Sequence, residues 1–171
     1  LQVANLAETA ANEIGANNLL VRVGALYHDI GKMNAPTYFS ENQTGSVSPH
    51  EEMPPDQSAK IIINHVADGI ELAKKFKLPD RVIDFIRTHH GNSWVYFFLK
   101  KAQENGEDVD EKYFRYPGPR PFSKETAILM MADAVEAASK KWTMPIRCWK
   151  PALNRFMIEF EDELTPYINN Y

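Results

Sequence analysis

Apolar residues recur at i, i+3 and i+4 along almost the whole chain, and no stretch alternates apolar and polar as a strand would. That pattern restricts the fold to helices packed around a core. Val3, Leu6, Ala7, Ala10, Ala11 and Ile14 mark a first helix, ended by Gly15. A second begins where Asn17 or Asn18 can cap it and runs through LLVRVGALYHDIG to about Gly31. Residues 32–54 form a loop too long for a simple connector, and loops of that size are often functional. Further helices are expected over residues 55–77 and over LPDRVIDFIRTHHG, with Pro79 near its start and Gly91 at its end. SWVYFFLKKAQENG, SKETAILMMADAVEAASKK (capped by Ser123) and residues 151–164 complete the set, with EDVDEKYFRYPGPRPF irregular between them. The expectation is an all-α fold of about seven helices, one domain over residues 1–171.

Composition narrows the function classes. The chain is 44% hydrophobic and 25% charged, ordinary for a globular protein. Nothing resembles a signal peptide, and no apolar run approaches the roughly 20 residues that span a bilayer. The single cysteine, Cys148, excludes an internal disulfide framework and suits a reducing compartment. A net charge of −4 with both signs interspersed argues against a binder of DNA or RNA duplexes, which carries a basic face. An acidic protein acting on a phosphate substrate needs cations at its site. The chain opens inside an amphipathic helix with neither Met nor cap residue, which reads as a domain cut from a longer protein.

The chemistry concentrates in a few titratable side chains. Of five histidines, His28, His65, His89 and His90 fall at helix ends or on apolar helix faces, and His50 lies in the long loop. Asp29 and Asp133 are embedded in apolar runs, LYHDIG and LMMADAVEA. A buried aspartate is costly unless paired or ligating a metal. Neighbours such as His89 and His90 diverge by about 100° on an ideal helix. Gly91 after them, and Gly31 after His28 and Asp29, let the helix unwind so that both side chains converge. The two oxygens of Asp29 can serve two ions. Mixed imidazole and carboxylate ligation suits Fe, Mn or Zn better than Ca or Mg. Each residue alone has a plainer reading: His65 as a hydrogen-bonded core histidine, Asp133 as a cap or the partner of an arginine. Their joint occurrence favours one shared cation site.

The order HD…H…HH…D resembles the HD-domain metal-dependent phosphohydrolase superfamily. Longer stretches (VANLAETAANEIGANNLLVRVGALYHDIGKMNAPTYFSENQTG, PDQSAKIIINHVADGIELAKKFKLP, IRTHHG, YPGPRPFSKETAILMMADAVEAA) resemble the cytoplasmic catalytic domain of the seven-transmembrane HD family, whose best-known activity is the PgpH-type cyclic di-AMP phosphodiesterase. The resemblance covers residues 3–140, and residues 141–171 match it less well. It implies an HD-domain helical bundle with two divalent transition-metal ions, iron or manganese. It implies that His28 and Asp133 hold one ion, that His65, His89 and His90 hold the other, and that Asp29 bridges them. The family also carries a histidine in an HS dipeptide just before the position of Leu1, so the resemblance implies a ligand set one imidazole short. It implies a cytoplasmic domain tethered to the inner face of a bacterial membrane through the rest of a membrane-anchored parent chain.

Hydrolysis of cyclic di-AMP to the linear dinucleotide is the activity so implied, with Asp29 and Lys32 as catalytic residues. Lys32, three residues after Asp29, either contacts the substrate phosphate or is a solvated surface lysine. Tyr38, Phe39 and the aromatics of YFRYPGPRPF either stack on adenine or pack beneath the loop, the second being preferred for most. His50 is read first as a loop residue and second as part of a lid. Two other functions stay open. One is an HD hydrolase of nucleotides, alarmones or cyclic di-GMP, although HHGNSWVYFF lacks the GYP signature usual in cyclic di-GMP enzymes. The other is a non-catalytic nucleotide-sensing module, against which retention of His28, Asp29, His65, His89, His90 and Asp133 argues.

Overall fold

A computed structural model describes residues 1–43, 48–106 and 110–140. Among these, six α-helices follow one another: α1 (Gln2–Glu13), α2 (Asn18–Tyr27), α3 (Pro55–Lys75), α4 (Asp80–Thr88), α5 (Tyr96–Glu104) and α6 (Lys124–Lys140). The described residues form no strand, and the helical reading of the periodicity holds. The helix expected over 151–164 lies outside the described residues.

Small side chains set the closest contacts. Ala4, Ala7 and Ala11 line the buried stripe of α1, which packs on α2 and α6. Phe85 of α4 and Ile128, Leu129 and Ala132 of α6 close this first core around Val21 and Ala25. A second core joins Ala59 of α3 to Phe98, Leu99 and Ala102 of α5 and to Phe114. A third places Ala73 of α3 against Ile83 and Ile86 of α4. The caps follow the sequence: Asn17 accepts from the Leu20 amide at 3.0 Å, and Ser123 Oγ accepts from the Thr126 amide at 3.2 Å.

The helix ends depart from the periodicity. α2 stops at Tyr27, short of Gly31; His28 caps it, and the chain continues as a 3-10 turn over Ile30–Asn34. α4 stops at Thr88 with His89 as its cap, and Gly91 turns the chain at a left-handed φ of 51°. SWVYFFLKKAQENG becomes helical only at Tyr96, because residues 93–95 pair instead with residues 114–116. Val95 donates to the Phe114 carbonyl at 2.7 Å and Tyr116 to that of Ser93 at 2.9 Å, around an isolated bridge between Trp94 and Arg115. The long loop is not featureless. Short 3-10 turns occupy Pro36–Tyr38, Ser40–Asn42 and Pro49–Glu51, the last closed by a capping box between Ser48 and Glu51.

Tertiary packing explains why α2 ends early. Gly31 lies so close to α3 that an added Cβ would sit 1.8 Å from the His65 carbonyl oxygen and 2.5 Å from the Gly69 amide nitrogen. Backbone meets backbone there, and a continuing α2 would carry the chain away from α3. Gly31→Ala should therefore cost at least about 1–3 kcal/mol, the usual range for overpacking, because no flexible side chain can yield. Gly106→Ala, with open space around the added methyl, bears only the strain of its φ of 74°. Urea denaturation midpoints of the two variants compare these costs, and equal losses would refute the close approach as the constraint.

Candidate metal centre

Six side chains converge from four helical segments. His28 and Asp29 leave the end of α2, His65 projects from α3, His89 and His90 follow α4, and Asp133 belongs to α6. Ligand-type atoms of His65, His89 and His90 lie within 4.8 Å of one another, as do those of His28, Asp29 and Asp133. Asp29 stands between the two groups. Its Oδ1 is 3.4 Å from His65 Nε2 and 3.6 Å from His89 Nε2, while its Oδ2 is 3.1 Å from His28 Nε2. Asp133 Oδ1 approaches the same His28 nitrogen at 3.5 Å.

Local hydrogen bonds aim the imidazoles. His28 Nδ1–H donates to the Ala25 carbonyl at 2.7 Å, His89 Nδ1–H to that of Ile86 at 2.8 Å, and His65 Nδ1–H to that of Ile62. Each acceptor lies three residues back on the same helix. A proton fixed on Nδ1 leaves Nε2, turned into the cluster, as the nitrogen through which each imidazole can ligate a metal. The Nε2 atoms of His65 and His89 face each other across 3.1 Å, a contact satisfied only by a shared cation, whether proton or metal ion. His28 Nε2 is within ion-pair reach of both carboxylates, yet it is buried and meets neither at a hydrogen-bonding angle. Buried nitrogen lone pairs interleaved with carboxylate oxygens are the donor chemistry that borderline transition metals prefer, so the residues fit a metal site.

The electrostatics agree. Burial opposes the charge on Asp29, but the neighbouring His28, then His65 and His89, override it and hold the carboxyl well below its usual range. Asp133 is lowered likewise, against burial, by His28. Burial, then the neighbouring His28 and His65, depress His89; burial, then His89 and His65, depress His90 well below the ordinary range. His28 moves the other way: burial opposes its charge, but Asp133 and Asp29 push it up to about 10.

The remaining candidates surround this cluster. Lys32 is not a solvated surface lysine: its Nζ lies 2.8 Å from Asp29 Oδ2 and 2.5 Å from Glu41 Oε1, above the Phe39 ring. Phe39 is buried edge-on against His65 at 5.7 Å, and Phe114 and Tyr116 are buried too, so these aromatics are packing groups. His50 is a buried loop residue. It donates from Nε2 to the Tyr38 carbonyl at 2.9 Å and packs between the rings of Tyr38 and Phe98. Two neighbours were not legible beforehand. Glu41 holds Lys32 across a nine-residue separation, and the Tyr116 ring stacks on His90 at 4.2 Å and 25°. Only the acid–base pairing of Glu41 with a nearby lysine could have signalled the first.

The His28 pairing has a pH signature in metal-free protein. The folded pKa of about 10 exceeds the ordinary 6.5, so its stabilisation is complete below 6.5 and is lost as pH rises through about 10. The stability difference between the native chain and His28→Gln, measured by urea denaturation after chelation, should shrink over that window. A difference that grows with pH would contradict the pairing.

Comparison with known proteins bears on what the cluster is. The family model described as "HD domain" matches residues 1–138. The chain is 48% identical over 145 residues to the cyclic-di-AMP phosphodiesterase PgpH of Bacillus subtilis and, equally, to that of Listeria monocytogenes; each match covers 85% of this chain and 20% of the relative. It thus spans about one fifth of the length of these curated relatives. The crystal structure of the L. monocytogenes phosphodiesterase PgpH HD domain in complex with cyclic-di-AMP superposes with a TM-score of 0.85 at 43% identity, covering 96% of this chain and 78% of that one. With its paired HD and HH dipeptides gathered at one buried cluster and a family model matched over most of its length, the chain belongs to the HD-domain family, whose members are metal-dependent.

Proposed function

We propose that this chain is a phosphodiesterase that opens cyclic di-AMP to the linear dinucleotide at a pair of divalent transition-metal ions, iron or manganese. One observation carries the reading: the two oxygens of Asp29 face two different groups of nitrogen and oxygen donors. His28, Asp133 and Asp29 Oδ2 would hold one ion, and His65, His89, His90 and Asp29 Oδ1 the other. Such a pair supplies Lewis acidity at the phosphoryl group and activates water near neutral pH. The relatives named as cyclic-di-AMP phosphodiesterases, and the likeness to an HD domain solved with that nucleotide, support the choice of substrate.

The chain's own residues then divide the work. Asp29 aligns both donor groups. Lys32 presents an ammonium at the edge of the cluster, where Glu41 keeps it from collapsing onto Asp29 alone and where it can bind a phosphoryl oxygen. Phe39, pressed on His65, keeps bulk water from that side. In this reading residues 1–171 are one catalytic domain of a longer, membrane-anchored protein with its site on the cytoplasmic side. Among the described residues no helix is long and apolar enough to cross a membrane, and the proposal puts the anchor elsewhere in the longer protein.

Elemental analysis and a hydrolysis screen test the proposal. Two transition-metal ions per chain are expected, with cyclic di-AMP cut in preference to cyclic di-GMP and to a nucleoside triphosphate. Equal rates on both dinucleotides would favour a broader HD hydrolase, and binding without turnover a sensing module. Asp29→Asn should lower turnover more than about a hundredfold, since even outer partners of metal ligands are worth about 10–100-fold. Lys32→Ala should lower kcat/KM about 10–100-fold, the worth of a charged hydrogen bond of about 1.5–3 kcal/mol. Full activity in either variant removes that residue from the mechanism.

A further inference from the structure

Three of the four clustered imidazoles are aimed by a bond to their own helix, and His90 is not among them. It lies two residues past the end of α4, and among the described residues its ring has no hydrogen-bond partner. What holds it is aromatic. The Tyr116 ring lies 4.2 Å away at 25°, stacked face to face, while the His89 and His65 rings approach at 4.0 Å and 5.2 Å in tilted and edge-on arrangements. We propose that Tyr116 is the positioning residue of His90, setting the plane of the imidazole by stacking where the other three are set by hydrogen bonds.

Tyr116 is itself fixed well enough for this role. Its side chain is buried. Its backbone amide donates to the Ser93 carbonyl, and the amide of Val95 donates to the Phe114 carbonyl on the other side of the Trp94–Arg115 bridge. Arg115 Nε–H adds a bond to the Asn92 carbonyl at 2.7 Å and lays its guanidinium over the Trp94 ring. Every one of these ties runs from residues 114–116 to residues 92–95, the segment that follows His90 and Gly91 directly. The chain after His90 therefore carries its own clamp, and the clamp delivers the ring that orients His90. A stack of this kind contributes about 0.5–1.5 kcal/mol beyond burial, enough to select one orientation of a side chain with two free torsions.

The consequence for metal binding rests on the reading of His90 as an ion ligand; the stack itself does not. Tyr116→Phe keeps the ring, and Tyr116→Leu keeps apolar bulk without an aromatic face. In metal-free protein with labelled histidine, the ring-proton resonances of His90 should lose their ring-current displacement in Tyr116→Leu and retain it in Tyr116→Phe. Calorimetric titration with Mn(II) should then show one of two ions bound about 10–100-fold more weakly in Tyr116→Leu, the other unchanged, and both at native affinity in Tyr116→Phe. Unmoved His90 resonances in Tyr116→Leu overturn the proposal. So does equal weakening of both ions together with a fall in Tm, which marks a merely structural role, and so does a Phe variant as impaired as the Leu one. A native chain that binds no ion overturns the metal reading at the first titration, before any variant, while the resonance measurement still decides the stack.

Discussion

A single half-buried carboxylate organises this molecule. Asp29 is approached by three imidazole nitrogens and one ammonium, contributed by the end of α2, the middle of α3, the end of α4 and the turn that follows Asp29 itself. Removing a carboxylate from water is costly, and here the Lys32 ammonium at 2.8 Å and the charged His28 offset that cost, with the His65 and His89 rings packed beside them. Each donor in turn fixes where its helix can lie. The arrangement of α2, α3 and α4 is therefore the arrangement that satisfies Asp29, and the alanine-rich and aromatic cores fill the space that remains.

Convergence of this kind demands close backbone approach. Gly31 and Gly69 give it where the turn after α2 meets α3, and Gly24 gives it beneath the Phe85 ring, where an added Cβ would sit 2.3 Å from the nearest ring carbon. The three contacts lie on one path from α2 to α3 and α4. They bring the helix ends that carry His28, Asp29, His89 and His90 within a few ångströms of His65, which no pair of helices bearing ordinary side chains on their facing surfaces would allow.

Much of this is legible in the sequence, and what is not shares one cause. Helices, caps and the candidate ligands follow from periodicity, from Asn17 and Ser123, and from titratable residues set in apolar runs. Gly31 and Gly91 correctly mark where His28–Asp29 and His89–His90 leave the helix. The early end of α2 and the shortened start of α5 are set by partners distant in sequence: the His65 carbonyl for the first, the pairing of residues 93–95 with 114–116 for the second. Lys32 left a surface reading nearly level with the phosphate-contact one because its character depends on Glu41, which only the folded loop brings to it. Gly24 and Gly69 carry no local signal at all, since their role is to lack a side chain opposite something else.

The bonds from His28, His65 and His89 to carbonyls three residues back have an effect on the order of events during folding. They close within a single helical turn, so they require no long loop to form and no neighbouring helix to be in place. A nascent helix, once formed, already points its Nε2 outward. The aim of each donor is a property of local chain, and tertiary assembly has only to bring pre-aimed donors together. A cation present at that stage would meet prepared half-sites on separate helices and draw them into register, acting on the collapse of the chain as well as on the finished protein.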